Sequence, residues 1–580
     1  MDDIRARLRN LPFFAGLGAE TLNAIAEASQ WQSLAGGWEV FTQGATSDAL
    51  HINLTGRLIV VREGVDGADD EVVGYVRAGE PVGEMSLLSG EPHSASVFAL
   101  RDTELLTIPR KEVDRLINEH GDFAAALARI VLSRSRHPKD SFKKSAPRIF
   151  ALVATSPSID VDARVRELAK RIAQYKVNVT SYPCMDEPPS TSAFDQVENA
   201  HDVVLLATRL DGSPWYRFVT RHADRFLVLA RRDARPSKPF PLASEDGARA
   251  RKFRLVDLVM LHEGAHSGRT AEWMEAIGAA RVINIRNDEC VDRLARIISG
   301  KSVGLVLSGG GARAYAHIGA VRALREAGVP IDFLCGASMG GVVAACIAMG
   351  WGQDEMDARI RDAFVSSNPL GDHVLPVVAL TRGGRVETRL EHHFGDQLIE
   401  NMSIPFFCVS SDIVNGMARI HNRGLVRNAL RASIALPGIL PPVIDDHALL
   451  VDGAVVNNFP TDIMTTTHRG LTIGVDVARE GVIDIEAFRN PPGFFSWVAN
   501  NGFGAAPPII SLLMRSATAR REHVVAPRPA DIMIAPDVPG VELRDWKKYD
   551  EAVADGYRAT KAALEEHWPT LAPIIAGANR

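Results

Sequence analysis

The stretch Ile331 to Gly350 is apolar and as long as a membrane span, yet it is broken by Gly336, Ser338, Gly340 and Gly341. Small residues at that spacing turn a chain sharply, so the run reads as a strand, a tight turn and a buried helix. That βα unit sets the rest of the reading. At 580 residues the chain is too long for one hydrophobic core, and three or four domains are expected. Alternating apolar strands and amphipathic helices place most of them in the α/β class.

The fold class expected is multidomain: an N-terminal β-roll with flanking helices, a central Rossmann-like α/β domain and a C-terminal α/β domain. Residues 1–135 carry short strands separated by turn signals, among them Trp38 to Phe41, Ala49 to Leu54, Gly56 to Val61 and Leu105 to Ile108. Helical periodicity flanks them, from Ala19 to Ala28 and from Lys111 to Leu132. Residues 136–148 read as a basic linker, part of a stretch from Arg134 to Arg148 that includes Arg136, Lys139, Lys143 and Lys144. Such a cluster is ordinarily a solvated surface, and it is also attracted to anionic headgroups.

Residues 149–300 alternate strands (Ile149 to Ala154, Asp202 to Ala207, Arg225 to Ala230, Leu255 to Leu261, Val282 to Ile285) with helices such as Val161 to Gln174. The first strand leads into Thr155-Ser156-Pro157-Ser158, which lacks the glycines and lysine of a phosphate loop, so this part reads as a spacer. Residues 301–580 carry the chemistry.

There, the strand Val303 to Leu307 ends in Ser308-Gly309-Gly310-Gly311-Ala312-Arg313, followed by a helical pattern from Ala316. Glycines opening into a helix offer unpaired N–H groups and the positive dipole end, which suits an anion. A dinucleotide fingerprint would place a third glycine where Ala314 stands, so a developing oxyanion fits better than a pyrophosphate. One βα unit later comes Gly336-Ala337-Ser338-Met339-Gly340, the pattern of a nucleophile elbow, with the Met339 N–H placed to add to an oxyanion hole.

The serine needs a base. His317, His373, His392, His393, His421 and His447 lie in the same region, none in a recognisable motif, and His317 reads as a packing residue. Leu449-Leu450-Val451-Asp452-Gly453-Ala454 puts an aspartate at the end of an apolar strand, where α/β ligands bind. Taken alone, Asp-Gly is also an ordinary turn.

In combination and order, Gly309 to Arg313, Gly336 to Gly340 and Asp452-Gly453-Ala454 resemble the motifs of the patatin-like phospholipase family. Arg431 to Gly438 and Asn457 to Pro460 look like family segments as well. The resemblance implies a Ser338–Asp452 dyad, with Gly309, Gly310, Gly311 and Met339 forming the oxyanion hole. Arg313, Gly336, Gly340 and Gly453 would shape the motifs. The substrate class implied is a lipid ester, and neither catalytic cofactor nor metal is expected. Ala314, where the family usually has glycine, adds one methyl group to the loop.

Val82 to Val97 resembles the phosphate-binding cassette of cyclic-nucleotide-binding domains. That likeness implies a regulatory cyclic nucleotide held by Gly83, Glu84, His93 and Ser94. The family's phosphate-gripping arginine is His93 here, which exchanges a bidentate, permanent charge for a group half-neutral near pH 7. With both modules on one chain, the architecture resembles the neuropathy-target-esterase branch, which hydrolyses lysophospholipids and related esters. The alternative is a regulatory binding protein with a silent hydrolase domain.

A formal net charge of −6 gives no reason to expect nucleic acid as a partner, and no basic helix-turn-helix follows the first module. Five cysteines, mostly inside apolar runs, fit free thiols in a reducing compartment. The N-terminus lacks the pattern of a signal peptide, so a cytoplasmic protein, peripheral to a membrane, is expected. Two apolar segments with nearby arginines, Pro492 to Val498 and Pro508 to Met514, suit interfacial contact or a buried helix equally. Oligomeric state is not legible.

Overall fold

Thr21, Leu22, Ile25 and Ala26 fall on one face of the run Ala19–Ala28, which forms a helix with those residues buried. The computed structural model describes residues 8, 11–64, 70–76, 78–136, 147–237, 240, 255–262, 269–367, 369–374, 377–445, 447–478, 493, 496, 499–500, 530–542 and 545–578. Two compact units divide the chain: Met1–Ala169 with Asn178–Val259 and Glu272–Arg281, and Lys170–Val177 with Met260–Ala271 and Val282–Arg580.

In the first unit, two four-stranded antiparallel sheets follow that helix. One has the order Gln30–Leu34, Thr103–Pro109, Ala49–Thr55, Pro81–Val82; the other runs Glu39–Phe41, Ser96–Ala99, Leu58–Arg62, Glu71–Val76. Leu58, Val60 and Val97 of the second sheet share a core with Val82 and Leu105 of the first, which closes the strands into a roll. Where the periodicity suggested one helix from Lys111 to Leu132, there are two, Arg110–Glu119 and Gly121–Arg136. His120 between them is extended, and Asp122 beside it accepts from the Gly18 N–H and the Thr21 hydroxyl. These tertiary bonds outweigh the local helical preference. Arg134 therefore belongs to a helix and is buried, although the sequence grouped it with the basic stretch; residues 137–146 of that stretch lie outside the described residues.

The central strands form a six-stranded sheet in the order Val179–Tyr182, Val203–Arg209, Ile149–Ala154, Arg225–Arg231, Leu255–Leu261, Arg281–Ile285. The first four pair in parallel. Its start is tied to the roll by charge: the buried Asp224 accepts from the Arg148 and Ile149 N–H groups and lies 3.3 Å from Arg101 and 3.6 Å from Arg57. Arg101 also pairs with Glu198 at 2.5 Å.

In the second unit, an eight-stranded sheet has the order Val443–Asp445, Ala448–Val451, Phe406–Asp412, Phe333–Ala337, Val303–Leu307, Leu471–Val475, Ile532–Ile534, with Met417–His421 also paired to Phe406–Asp412. The strands from Phe406 to Ile534 in that order run parallel, and the remaining pairings are antiparallel. Long apolar strands buried on both faces are what parallel sheets require, and Val303–Leu307 and Phe333–Ala337 are buried throughout. The broken apolar stretch resolves into strand Phe333–Ala337 and helix Ser338–Ala348. Among the described residues, no helix is long and apolar enough to cross a membrane. All five cysteines are free thiols, four of them buried. The segments Pro492 to Val498 and Pro508 to Met514 lie outside the described residues, apart from Gly493 and Ser496.

Candidate active site

Strand Phe406–Asp412 has only two edges. Met417–His421 takes one of them over Cys408 to Asp412. Both other partners must therefore share the remaining edge: Phe333–Ala337 arrives in parallel, pairing Ala337 with Val409, and Ala448–Val451 arrives antiparallel, pairing Val451 with Ser411. The two strands point at each other along one edge and stop one residue apart, opposite Ser410. The residues at those two ends are Ser338 and Asp452.

Ser338 Oγ donates to Asp452 Oδ2 at 2.7 Å. The other carboxylate oxygen accepts the Ala454 N–H at 2.8 Å, so the side chain is held at both ends. Asp452 is 1% exposed, and burial raises its carboxyl from the ordinary 3.8 to about 6, against the opposing pull of the Ser338 and Ala454 hydrogen bonds. A carboxylate titrating there is a better match to neutral-pH proton transfer than an ordinary aspartate.

Ser338 has φ +52°, and with Lys176 it is one of two non-glycine residues in the left-handed region among those described. Such strain is characteristic of a nucleophile held out on a turn. The flanking glycines are sterically demanded. A Cβ on Gly336 would lie 2.5 Å from the Gly340 carbonyl carbon, and one on Gly340 would lie 2.4 Å from the carbonyl oxygens of Leu307 and Ser308. Gly453 is constrained in the same way, its Cβ position being 2.4 Å from the Val409 oxygen.

The glycine loop lies against the nucleophile. A Cβ on Gly309 would stand 3.0 Å from Ser338 Cβ. The Gly309 N–H donates to the Asn458 carbonyl at 3.2 Å, and Asn458 Nδ2 donates back to the Gly309 carbonyl at 3.2 Å. Gly309 is thus a clamped spacer whose amide is already committed. Among the described residues the Gly310 and Gly311 amides have no acceptor, and the Met339 amide, in the first turn of its helix, has none within that helix. The loop enters a 3₁₀ turn, Gly311–Tyr315, before helix Ala316–Glu326, rather than the helix directly. Arg313 stands on that turn, where its N–H closes the loop onto the Gly310 carbonyl at 3.2 Å.

Three supporting residues had no role assigned from the sequence, although Ser433 and Asn458 lie in segments that resemble the family's. The buried Ser433 hydroxyl accepts the Ser338 N–H at 3.0 Å and donates to the Val409 carbonyl at 2.7 Å, while its own carbonyl takes the Gly453 N–H at 3.1 Å. It therefore touches Ser338 and the residue that follows Asp452. Ser411 Oγ donates to the Asp452 carbonyl at 2.8 Å, and Asn458 holds the glycine loop. A serine or asparagine has no motif of its own when its partner is a backbone group across the fold.

Among the described residues, no histidine hydrogen-bonds to Ser338 or Asp452. His317 is buried, its Nε2–H donates to the Ser308 carbonyl at 2.8 Å, and burial lowers it to about 4, so it remains a neutral brace of the loop. His421 Nε2 lies 2.8 Å from Ser410 Oγ. Asp362, His392 and His393 present ligand atoms within 4.8 Å of one another, but Arg389 lies 2.9 Å from the Asp362 carboxylate and competes for it.

The cassette of the first module is arranged differently. Gly83 is left-handed, with φ +86°, and opens helix Glu84–Ser89. The Glu84 carboxylate is buried in an ion pair with Arg134, which also donates to the Pro81 carbonyl at 3.0 Å. His93 is buried and stacked on Phe41, with ring centroids 3.8 Å apart and 14° between planes; burial lowers its pKa. The two rings lie over Gly83, since a Cβ there would be 3.6 Å from each. Ser94 is exposed. Of the four residues expected to hold a nucleotide, Glu84 and His93 already have partners within the chain.

Comparison with known proteins agrees with both modules. The patatin-like phospholipase family model matches residues 305–465, and the cyclic nucleotide-binding domain model matches residues 31–120. An uncharacterized NTE family protein of Mycobacterium tuberculosis is 30% identical over 584 residues, covering 97% of each chain. Human patatin-like phospholipase domain-containing protein 6 is 27% identical over 93% of this chain and 44% of its own length. Lysophospholipase nte1 of Aspergillus niger is 25% identical over 93% of this chain and 42% of its own length. The chain thus spans less than half of the latter two relatives.

Proposed function

Because this chain belongs to the NTE family and carries a patatin-like phospholipase domain, and so is a lipid ester hydrolase, we propose that it cleaves carboxylic esters of lysophospholipids and related lipids through a Ser338–Asp452 dyad. The observation that carries this reading is the 2.7 Å hydrogen bond from Ser338 Oγ to a buried carboxylate whose pKa is lifted to about 6. Asp452 accepts the Ser338 proton as Oγ attacks the ester carbonyl carbon. The Gly310, Gly311 and Met339 amides hold the tetrahedral oxyanion, each donor being worth about 3 kcal/mol of barrier. Collapse expels the alcohol, which leaves with the proton from Asp452. Water, deprotonated by Asp452, then attacks the acyl-serine, and the fatty acid departs as Ser338 regains its proton.

In this reading residues 301–580 are the hydrolase, 149–300 a Rossmann-like spacer, 136–148 a linker and 1–135 a regulatory module. The enzyme works on the cytoplasmic side of a membrane, peripheral to it. The first module does not grip a cyclic phosphate as an arginine-bearing cassette would, because His93 lies against Phe41 and Glu84 is held by Arg134.

Ser338→Ala and Asp452→Asn test the dyad against a water-soluble short-chain ester. Both are expected to lose turnover while keeping the far-UV circular dichroism of the wild type. Near-normal turnover in either sinks the assignment.

A further inference from the structure

Beyond the level of the dyad the sheet does not end. Strand Phe406–Asp412 continues past Ser410, and Ala448–Val451 reaches that level from the opposite direction. Asp412 lies opposite Met417 on one side and Leu450 on the other, and Leu450 opposite Val443. One residue further out, the Ile413 N–H donates to the Leu449 carbonyl at 3.1 Å, and Leu449 lies opposite Ile444. These strand ends make an antiparallel extension, and the row through Ile413, Leu449 and Ile444 stands about 10 Å from the dyad level, three residues at the strand rise.

That row is apolar, and Ile413 and Ile444 in it are exposed while Leu449 is half-buried. Residues opposite each other in neighbouring strands share a face, so Ile413, Leu449 and Ile444 form one stripe. Ile413 is 48% exposed and Ile444 is 77% exposed; Val414 in the adjoining turn is 63% exposed, and Met417, which opens the next strand, is 64% exposed. Single exposed apolar side chains are ordinary, but four large ones gathered on one sheet end mark an interaction surface.

Three charged side chains beside the stripe have partners within the chain. Arg419 pairs with Asp445 at 3.4 Å, and the Asp412 carboxylate accepts the Val414 N–H at 3.0 Å and Asn415 Nδ2 at 2.7 Å. This sheet end therefore offers apolar bulk with its nearby arginine already paired, which suits a zwitterionic surface rather than an anionic one. A protein seated there would cover the approach to Ser338, whereas a lipid surface would deliver the ester to it.

We propose that this sheet extension, with Ile413, Val414, Met417 and Ile444 at its tip, seats the enzyme on a zwitterionic phospholipid surface, with the mouth of the Ser338 site facing the lipid. The choice of lipid as partner rests on the lipid-ester reading of that site. The surface itself rests on register and exposure.

The test uses the full chain carrying Ser338→Ala, so that vesicles stay intact, sedimented with phosphatidylcholine vesicles at low and high salt. It is expected to pellet equally at both. Adding Val414→Glu and Met417→Glu is expected to lower the partition coefficient by at least about ten-fold, since two inserted apolar side chains are lost. Equal partition of the two proteins overturns the proposal. So does binding that needs anionic lipid, or a dimer in solution that the two glutamates dissolve. With Ser338 intact, the two glutamates are expected to leave turnover of a monomeric soluble ester within about two-fold while turnover of vesicular substrate falls. An equal fall on both substrates also overturns it. Retained soluble-ester turnover in Ser338→Ala alone would sink the dyad without touching the vesicle result.

Discussion

The hydrolase site and the cassette of the β-roll both begin from a recognisable glycine-bearing motif, but their polar groups are engaged differently. At the hydrolase site the glycines let backbone and serine approach one another, and the Gly310 and Gly311 amides keep their donors free among the described residues. At the cassette, Glu84 is consumed by Arg134 and His93 by Phe41. A motif preserves the turn that its glycines require; whether it retains a ligand depends on what the neighbouring side chains do with the groups it presents.

The largest effect that tests this contrast is at Asp452. Asp452→Asn is expected to cost about 10⁴-fold in kcat on a soluble ester, the upper range for losing a general base. The same change should stabilise the fold. Because burial raises the folded carboxyl from 3.8 to about 6, the contribution of this one group to native stability is greatest below the lower value and is lost as pH rises through the upper one. Removing the charge removes that loss, worth about 3 kcal/mol at pH near 8 and nothing below about pH 4. Thermal unfolding at the two pH values measures it, and a variant less stable than wild type at the higher pH would contradict the buried-base account.

Next in size is Arg134→Ala. Breaking a buried ion pair costs about 3–5 kcal/mol, here expected in the β-roll alone. Soluble-ester turnover should hold; its loss would show that the cassette and the hydrolase site are not separable. Ser433→Ala leaves the Ser338 N–H without its acceptor, and a fall of about ten-fold in kcat with KM unchanged is expected, from the loss of one buried hydrogen bond. A wild-type kcat would remove Ser433 from the site. Smallest of all, calorimetry with cyclic AMP is expected to give no heat at millimolar ligand for the wild type or for His93→Arg, because Arg134 holds Glu84 in both. Saturable binding by the wild type would erase the contrast between the two regions.

Ser338 and Asp452 were legible because each sits where one residue type has a constrained neighbourhood: a serine between glycines that exclude any Cβ, and an aspartate where an apolar strand stops. Their meeting was not legible, since it depends on two strands sharing one edge of Phe406–Asp412. The segments holding Ser433 and Asn458 were legible as family-like, but the roles of the two residues were hidden for a related reason. Their partners are the Ser338 N–H, 95 positions away, and the Gly309 carbonyl, 149 positions away, and a backbone group leaves no signature in sequence. The helix break at His120 was missed because the Asp122 bonds to Gly18 and Thr21 that accompany it are tertiary. At the cassette the substitution at His93 was visible, but not its stacking on Phe41.

In the proposed mechanism a buried carboxylate, rather than a histidine, deprotonates Ser338. The most direct test is the pH dependence of kcat/KM on a soluble ester, read beside the rate at which a fluorophosphonate labels Ser338. The account predicts that both fall below about pH 6 with uptake of one proton, as Asp452 is protonated, and that labelling is lost in Asp452→Asn. Rates that hold down to about pH 4, or full-speed labelling of the asparagine variant, would contradict it.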